Sequence, residues 1–234
     1  MATVLLVRHG RTASNASGTL AGWTEGVGLD EVGRTQVSDL ANRLAGIPLV
    51  RIVTSPLQRC QETAAALLTG RDLQPLTEEA IGEARYGAWT GRPLKELAKD
   101  ELWRAVQDHP SGVTFPPSDE FAHESMSAMQ QRAVDAIRAH DAAVDAQHGK
   151  GAVWAAVSHG DVIKAVLAWA GGTHLDLFQR IVVNPASVSG IRLTAGRPFV
   201  LRVNDTGRVD DLVPPAEHAG DTDAAPGGGE GTQG

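Results

Sequence analysis

Val4-Leu5-Leu6-Val7-Arg8-His9-Gly10 is an aliphatic run that stops abruptly at an arginine, a histidine and a glycine. Four consecutive aliphatic residues predict a buried strand, here over residues 3–8, and the glycine predicts a turn directly after it. His9 is therefore expected at the carboxyl end of the strand, the edge at which open α/β sheets bind ligands. A histidine in that place, beside an arginine, can meet a phosphate group as a nucleophile.

Strand and helix patterns continue to alternate after this first strand. Such alternation predicts βαβ units and, for this chain, a three-layer α/β/α sandwich with a mostly parallel central sheet. A terminal β-hairpin is expected over residues 188–193 and 199–203. The other predicted elements are a helix over 29–44 with Asp30 as its N-cap, a strand over 50–54, a helix over 56–68, a strand over 152–158 and a helix over 161–170.

The middle and the end of the chain interrupt the alternation. Helices are predicted over 94–107 and 124–147, and the segment 94–125 is expected to form a small helical cap over the site. From about residue 214 the composition shifts to Gly, Ala, Asp and Pro, which bury too little apolar surface to offset the entropy of ordering. We therefore predict one domain over residues 1–214 and a disordered, acidic and Gly-rich tail over residues 215–234.

Composition argues against nucleic acid and anionic membranes as partners. The net charge is −7, but the tail contributes four acidic residues and no Lys or Arg. Without these four residues the net charge is only −3. The single cysteine, Cys60, permits no intrachain disulfide and fits a reducing compartment. Because the sequence shows no leader pattern and no apolar run of about 18 residues, we expect a soluble cytoplasmic protein.

Four segments combine polar side chains with the end of a strand or the start of a helix. Such places suit a phosphate group, which is bound by cations and by backbone N–H groups. The segments are Arg8-His9-Gly10 with Thr12 and Asn15, Ser55-Pro56-Leu57-Gln58-Arg59 through Glu62-Thr63-Ala64, Glu83-Ala84-Arg85-Tyr86-Gly87-Ala88-Trp89-Thr90-Gly91, and Ser158-His159-Gly160.

In this order, the four segments resemble the histidine phosphatase superfamily, also called the phosphoglycerate mutase-like family. The resemblance runs from about residue 3 to about residue 205 and implies a metal-independent phosphatase that forms a phosphohistidine and needs no cofactor. The implied residues are His9 as nucleophile, Glu83 as general acid and base, Arg8, Arg59 and a protonated His159 around the phosphoryl group, and Thr12, Asn15 and Gly160 as further substrate-binding groups. Because Glu83 must hold a proton to act as the acid, an acidic pH optimum is expected.

The sequence departs from the family pattern in ways that bear on substrate. Arg11 stands where many relatives carry Glu or Gln, which adds a cation beside the expected site, and His123 stands where relatives often have Gly. The longer basic insertion of dedicated glycolytic mutases has no counterpart after the acidic segment. This absence favours hydrolysis of a phosphomonoester over transfer between two positions of one substrate.

Two alternatives remain beside the phosphatase interpretation. One is a phosphoglycerate mutase-type phosphomutase, and the other is a non-catalytic phospholigand-binding domain with the same fold. The expected partner is a small-molecule phosphomonoester, with sugar phosphates, phosphoglycerates, nucleotides and cofactor precursors all compatible. The resemblance also leaves a homodimer open. Cys60 is expected to pack as a small apolar residue, and the spacing of the remaining histidines does not suggest zinc.

Overall fold

A computed structural model of the protein describes residues 2–208 and 226–228. Six strands form one sheet, with the spatial order β3-β2-β4-β1-β5-β6. The strands are β1 (Thr3–Arg8), β2 (Leu49–Thr54), β3 (Leu76–Thr77), β4 (Val153–Ser158), β5 (Val188–Arg192) and β6 (Phe199–Asp205).

Helices connect and flank these strands. The α-helices are α1 (Ala13–Ala16), α2 (Glu31–Leu44), α3 (Gln58–Leu67), α4 (Leu94–Leu97), α5 (Glu101–Asp108), α6 (Met126–His148) and α7 (Gly160–Ala170). Short 3-10 helices lie at Glu79–Ile81, Gly87–Trp89, Pro110–Gly112, Leu175–Arg180 and Pro226–Gly228. None of the helices described is long and apolar enough to span a bilayer.

The central strands are parallel, as predicted. β1 pairs with β4, and β2 pairs with both β3 and β4, all in parallel. β5 runs antiparallel to β1, and β6 pairs antiparallel with β5 as the predicted terminal hairpin. The chain leaves β1 towards one side of the sheet and leaves β4 towards the other. The carboxyl ends of β1 and β4 therefore form a topological switch point, where such sheets bind ligands.

Two hydrophobic clusters lie on the two faces of the sheet. On one face, Val37 and Leu40 of α2 and Leu67 of α3 pack in the same cluster as Val7. On the other, α6 and α7 pack over the alternate positions of the same strands, so that Leu6 belongs to the second cluster. Alternate residues of a strand point to opposite faces. The predicted three-layer sandwich is therefore present, with both faces of β1 and β4 buried.

The segment after Gly91 differs in detail from its prediction. The helix expected over 94–107 is divided into α4 and α5, because the carboxylate of Asp100 accepts a hydrogen bond from Leu102 N at 2.9 Å and caps a new helix. Most of the predicted disordered tail, 215–234, lies outside the described residues. The exception is Pro226–Gly228, whose position is given below.

Candidate active site

Two histidines meet where β1 and β4 end. Arg8 is paired with Ser158 across the two strands, and His9 N donates to the carbonyl oxygen of Ser158 at 3.0 Å. The register places His9 beside His159, with ring centroids 5.3 Å apart in an edge-to-face arrangement. Both side chains are buried. The parallel pairing of two strands thus brings together histidines that are 150 positions apart in the chain.

His9 is held in one tautomer by its own turn. Its Nδ1 lies 2.8 Å from the carbonyl oxygen of Gly10. Because a carbonyl oxygen only accepts, Nδ1 carries the hydrogen and Nε2 keeps its lone pair. Burial lowers the pKa of His9 well below its ordinary value, and the nearby Arg59 and Arg8 lower it further. His9 is therefore neutral and nucleophilic at Nε2 across the physiological pH range.

Arg59 supplies a buried cation with unused hydrogen-bonding capacity. It lies in the first turn of α3, directly after β2, and is 2% exposed. Its Nη2 donates to the carbonyl oxygen of Gly22 at 2.9 Å, whereas its Nη1 has no hydrogen-bond partner among the described residues. A buried guanidinium with an unpaired N–H is costly unless an anion completes it. This arrangement therefore points to a bound oxyanion.

Glu83 is held by its backbone rather than by a regular element. Its carbonyl oxygen accepts from Trp23 Nε1 at 2.7 Å and from Arg132 Nη2 at 2.9 Å. Its carboxylate Oε1 accepts from Ala84 N at 3.0 Å, and Oε2 lies 3.7 Å from His159 Nδ1. These contacts fix the carboxyl group next to His159, at the cavity that His9 also lines.

The surroundings of Glu83 favour its protonated form. Burial and the negative charge of Asp161 raise its pKa to about 7, although Arg59 and Arg8 act in the opposite direction. A carboxylic acid that keeps its proton near neutral pH can donate that proton in a reaction. Glu83 thus has the property that a general acid needs.

A cavity that opens to solvent lies at this edge of the sheet, and its empty space, with the solvent at its mouth included, is about 400 Å³. Of the residues predicted from the sequence, His9, Thr12, Asn15, Arg59 and Glu83 line it. The further lining residues are Ser14, Gly18, Thr19, Leu20, Ala21, Gly22, Leu94, Pro226 and Gly227. Leu94 is thus the cavity residue that comes from the segment predicted to cap the site.

Thr12 and Asn15 form a capping box at the start of α1. Thr12 N and Thr12 Oγ1 both donate to Asn15 Oδ1 at 3.0 Å, and Asn15 N donates back to Thr12 Oγ1 at 3.2 Å. The carbonyl oxygen of the Asn15 side chain is used in this cap. Only its NH₂ group can therefore serve a bound anion, which is the polarity that a phosphate requires.

Arg8 and His159 lie behind the cavity lining. Arg8 Nη1 donates to the carbonyl oxygen of Val183 at 2.6 Å, and Nη2 donates to that of Gly227 at 3.2 Å. Burial lowers the pKa of Arg8 to about 10, so this side chain remains a cation at neutral pH. Arg8 thus contributes positive charge to the site from beneath its surface.

The resemblance implies a protonated His159, whereas the surroundings of this ring favour its neutral form. Its ring Nε2 is 2.8 Å from Ser55 Oγ, and it is completely buried. Burial lowers the pKa of His159 well below its ordinary value, with Arg59 and His9 acting in the same direction. The ring is therefore neutral in these surroundings, and the cations of the site are Arg8 and Arg59.

The structure also places Gly160, an expected substrate-binding residue, as well as Arg11 and Cys60. Gly160 begins α7 behind His159 and is not part of the cavity lining. Arg11 Nε donates to Asp30 Oδ2 at 2.8 Å, so its charge is paired outside the cavity. The thiol of Cys60 is buried and donates to the carbonyl oxygen of Ser158 at 3.5 Å. Burial raises the pKa of Cys60 to about 12, so it is no thiolate nucleophile.

Several residues of the site were missed from the sequence. The sequence presents Ser55 only as part of a motif, and it presents Asp161 only as the first residue of a predicted helix. Pro226 and Gly227 fell within the predicted disordered tail. The position of Ser55, a polar residue directly after a strand, could have indicated that it belongs to the site. Nothing in the composition distinguishes residues 226–228 from their neighbours. Within residues 2–208 and 226–228, no group of three or more His, Cys, Asp or Glu side chains could hold a metal ion.

Together, the switch-point cavity, the neutral histidine and the buried arginines define an α/β enzyme that acts on phosphate groups. The family model of the histidine phosphatase superfamily (branch 1) matches residues 4–206. The chain belongs to this superfamily.

Individual proteins are similar to this chain over most of its length. Phosphoserine phosphatase 1 of Hydrogenobacter thermophilus is 27% identical over 221 residues, which cover 94% of this chain and 100% of that protein. The probable phosphoglycerate mutase GpmB of Yersinia pestis is 27% identical over 193 residues, covering 82% of this chain and 85% of that protein. The solved structure of Bacillus stearothermophilus YhfR has a TM-score of 0.75 and 28% identity, covering 88% and 98% of the two chains.

Proposed function

We propose that the protein hydrolyses small phosphomonoesters through a phosphohistidine at His9, without a metal ion. The observation that carries this proposal is the position of His9 in the cavity. Its Nδ1 is tied to Gly10 at 2.8 Å, so Nε2 holds a lone pair, and Arg59 with its unpaired Nη1 lines the same cavity. A neutral imidazole next to a buried cation is suited to attack a bound phosphoryl group.

In the first step, His9 Nε2 attacks phosphorus and the bond from phosphorus to the ester oxygen breaks. The proton of Glu83 passes to the leaving oxygen, so the product is a neutral alcohol. The transferring phosphoryl group spreads charge over its equatorial oxygens, and catalysis depends mainly on positioning and electrostatics. Arg59 and Arg8 supply the positive field, and Asn15 supplies an amide donor.

In the second step, water attacks the phosphohistidine and the phosphorus–nitrogen bond breaks. Glu83, ionised by the first step, accepts a proton from this water. Inorganic phosphate leaves, His9 recovers its lone pair, and Glu83 is protonated again. A carboxyl group whose pKa lies near 7 suits both directions of proton transfer at neutral pH.

The remaining predicted residues take supporting roles. Neutral His159, hydrogen-bonded to Ser55, orients the Glu83 carboxyl group from behind the cavity lining. Thr12 holds Asn15 through the capping box. Gly160 opens α7, whose N-terminal dipole points its positive end at the same edge of the sheet.

A phosphomutase is the alternative, because curated relatives include probable phosphoglycerate mutases. Hydrolysis is preferred, since phosphoserine phosphatase 1 matches the chain over its full length. Both reactions use the same residues for phosphoryl transfer. They differ in the acceptor of the phosphoryl group, which is water in hydrolysis and a second alcohol in the mutase reaction. The substrate class proposed is a small phosphorylated metabolite. A cytoplasmic location and a homodimer remain predictions.

The deciding experiment compares the natural chain with the His9→Ala variant. Release of inorganic phosphate is measured from a panel of phosphomonoesters at pH 4 to 8, with EDTA present. The natural chain should turn over at least one ester, and the variant should turn over none. His148→Ala, at the exposed end of α6, is the matched control and should keep full activity.

Three results would contradict the proposal. Turnover that persists in His9→Ala would exclude His9 as the nucleophile. Exchange between 2- and 3-phosphoglycerate without net phosphate release would establish the mutase alternative. Binding of phosphomonoesters by the natural chain, with neither release nor exchange, would establish the non-catalytic binding domain.

A further inference from the structure

Two residues from near the end of the chain lie in the cavity. Pro226 is buried and Gly227 is half-buried, and both line the cavity that also contains His9, Arg59 and Glu83. They belong to a 3-10 turn over Pro226–Gly228. The end of the chain therefore forms part of the candidate active site.

The backbone of Gly227 bridges two buried charges. Its N–H donates to Asp161 Oδ2 at 2.8 Å, and its carbonyl oxygen accepts from Arg8 Nη2 at 3.2 Å. Asp161 and Arg8 are 1% and 0% exposed. Hydrogen bonds to ionised groups are roughly twice as strong as neutral ones. Both polar groups of one peptide residue are thus matched to charges of opposite sign, which is a specific contact.

The position of Gly227 also requires a glycine. Its φ is +80°, a region that residues with a side chain rarely adopt. A Cβ placed there would lie 3.0 Å from Leu20 Cδ1, another residue of the cavity lining. The segment therefore packs closely against Leu20, and its backbone conformation disfavours any residue with a side chain.

Pro226–Gly228 borders the cavity rather than filling it. With the segment in place the cavity stays partly open to solvent, and the nucleophile and the general acid still line it. The neighbouring lining is made of small residues, namely Ser14, Gly18, Thr19, Ala21 and Gly22. Among the residues that the structure describes, the His9 ring is the only aromatic side chain in the lining. This lining therefore favours a small polar group over an aromatic or nucleoside group, which would need a ring to stack on.

We infer that Pro226–Gly228 is a wall of the substrate cavity and a specificity-determining segment, which restricts the enzyme to esters of small polar alcohols. This inference rests on the proposed phosphatase function. An ester with a large leaving group has to displace the segment and break both hydrogen bonds of Gly227. A small phosphorylated hydroxy acid or amino acid fits beside the segment. The wall discriminates by size, whereas the phosphoryl group is recognised by the residues at the strand ends.

The test is a chain that ends at residue 214, compared with the full chain and with a chain that ends at Gly228. Values of kcat/KM are measured for phosphoserine and 3-phosphoglycerate as small substrates and for 4-methylumbelliferyl phosphate as a bulky one. The kcat/KM for the bulky ester, divided by that for the small esters, should rise at least tenfold in the chain that ends at 214. It should keep its full-chain value in the chain that ends at 228, which retains the wall.

Gly227→Val provides a second test that keeps the chain length. A β-branched residue is strongly disfavoured at φ +80°, so the segment should leave its place. The ratio of kcat/KM for bulky esters to that for small esters should then rise, as it does in the shortened chain. Thermal unfolding midpoints of all variants check that the domain remains folded.

The possible failures are distinct. An unchanged ratio in both the shortened chain and Gly227→Val would overturn the inference, and so would an equal rise for small and bulky esters, which would identify the segment as a competitor of phosphate. If the full chain hydrolyses none of these or the other panel esters, the proposed function itself has failed.

Discussion

The turn after β1 and the turn after β4 have nearly the same local sequence but different surroundings. Each places a histidine and then a glycine directly after a buried strand, and both histidines are buried with a lowered pKa. His9 lines the cavity, and its ring is fixed by the carbonyl of its own turn. His159 lies behind the lining, and its ring contacts Ser55 and Glu83 from other segments.

The role of each histidine depends on what its ring nitrogens contact. A local contact through Nδ1 leaves Nε2 of His9 for a ligand. Long-range contacts use both nitrogens of His159, because Nε2 meets Ser55 and Nδ1 faces Glu83. We therefore expect His9 to carry the covalent step, and His159 to position the groups around it.

The largest expected effect separates the two histidines directly. His9→Ala should lower kcat by about 10⁴-fold or more, because it removes the nucleophile. His159→Ala should lower kcat by about 10²- to 10³-fold, the usual effect of losing one supporting donor. Samples quenched with alkaline SDS, which preserves the acid-labile phosphorus–nitrogen bond, should contain phosphoenzyme for His159→Ala and none for His9→Ala. A phosphorylated His9→Ala protein would reverse the assignment of the two turns.

Arg59 offers the next largest effect. Arg59→Lys keeps the charge but loses the fork that reaches both Gly22 and the cavity. We expect kcat/KM to fall by about 10²- to 10³-fold. Arg43→Lys is the matched control, since Arg43 forms a half-exposed ion pair with Asp205 far from the site. Equal effects of the two substitutions would remove Arg59 from the phosphate site.

The elements that carry the site were predictable because local patterns determine them. The aliphatic run before Arg8 predicts β1, and Asp30 caps α2 as expected, with its carboxylate accepting from Gly33 N at 2.7 Å. His9, Arg59 and Glu83 were expected together, and the structure brings them to one cavity. Parallel strands align their carboxyl ends, so residues after such strands converge.

The parts that were not predictable depend on long-range contacts. The neutral form of His159 follows from burial near Arg59, which no local pattern reports. Arg11 is paired with Asp30 only because the loop after β1 meets the start of α2. Gly227 binds through its backbone, so its contacts leave no side-chain signal in the sequence.

A smaller effect tests how the second turn controls the general acid. Glu83 acts as an acid only while protonated, and its pKa is raised to about 7, so kcat/KM should be constant below that pH and fall above it. Asp161, two residues after His159, contributes negative charge that raises this pKa. Asp161→Asn should therefore move the fall in activity to lower pH.

The pH–rate profile also provides its own check. Glu83 is surrounded by Arg8, Arg59, Asp161 and His159, and only Asp161 among the charged groups raises its pKa. Glu83→Gln should abolish the fall in activity altogether, at a rate about 10²- to 10⁴-fold lower. A profile of the natural chain that stays flat through pH 8 would exclude Glu83 as the acid.

The smallest expected effect concerns Ser55, the residue that makes the second turn different from the first. Ser55→Ala removes the buried hydroxyl 2.8 Å from His159 Nε2 and leaves that nitrogen with only the weaker contact to the Cys60 thiol at 3.4 Å, at a cost of about 1 to 3 kcal/mol in the free energy of unfolding. Urea denaturation measures this cost, and Ser17→Ala, on the exposed end of α1, should change stability by less than about 0.5 kcal/mol. Because Ser55 contacts neither His9 nor the cavity, kcat should fall less than tenfold. A loss in kcat as large as that of His159→Ala would mean that the orientation of the second ring, rather than its presence, is what the reaction needs.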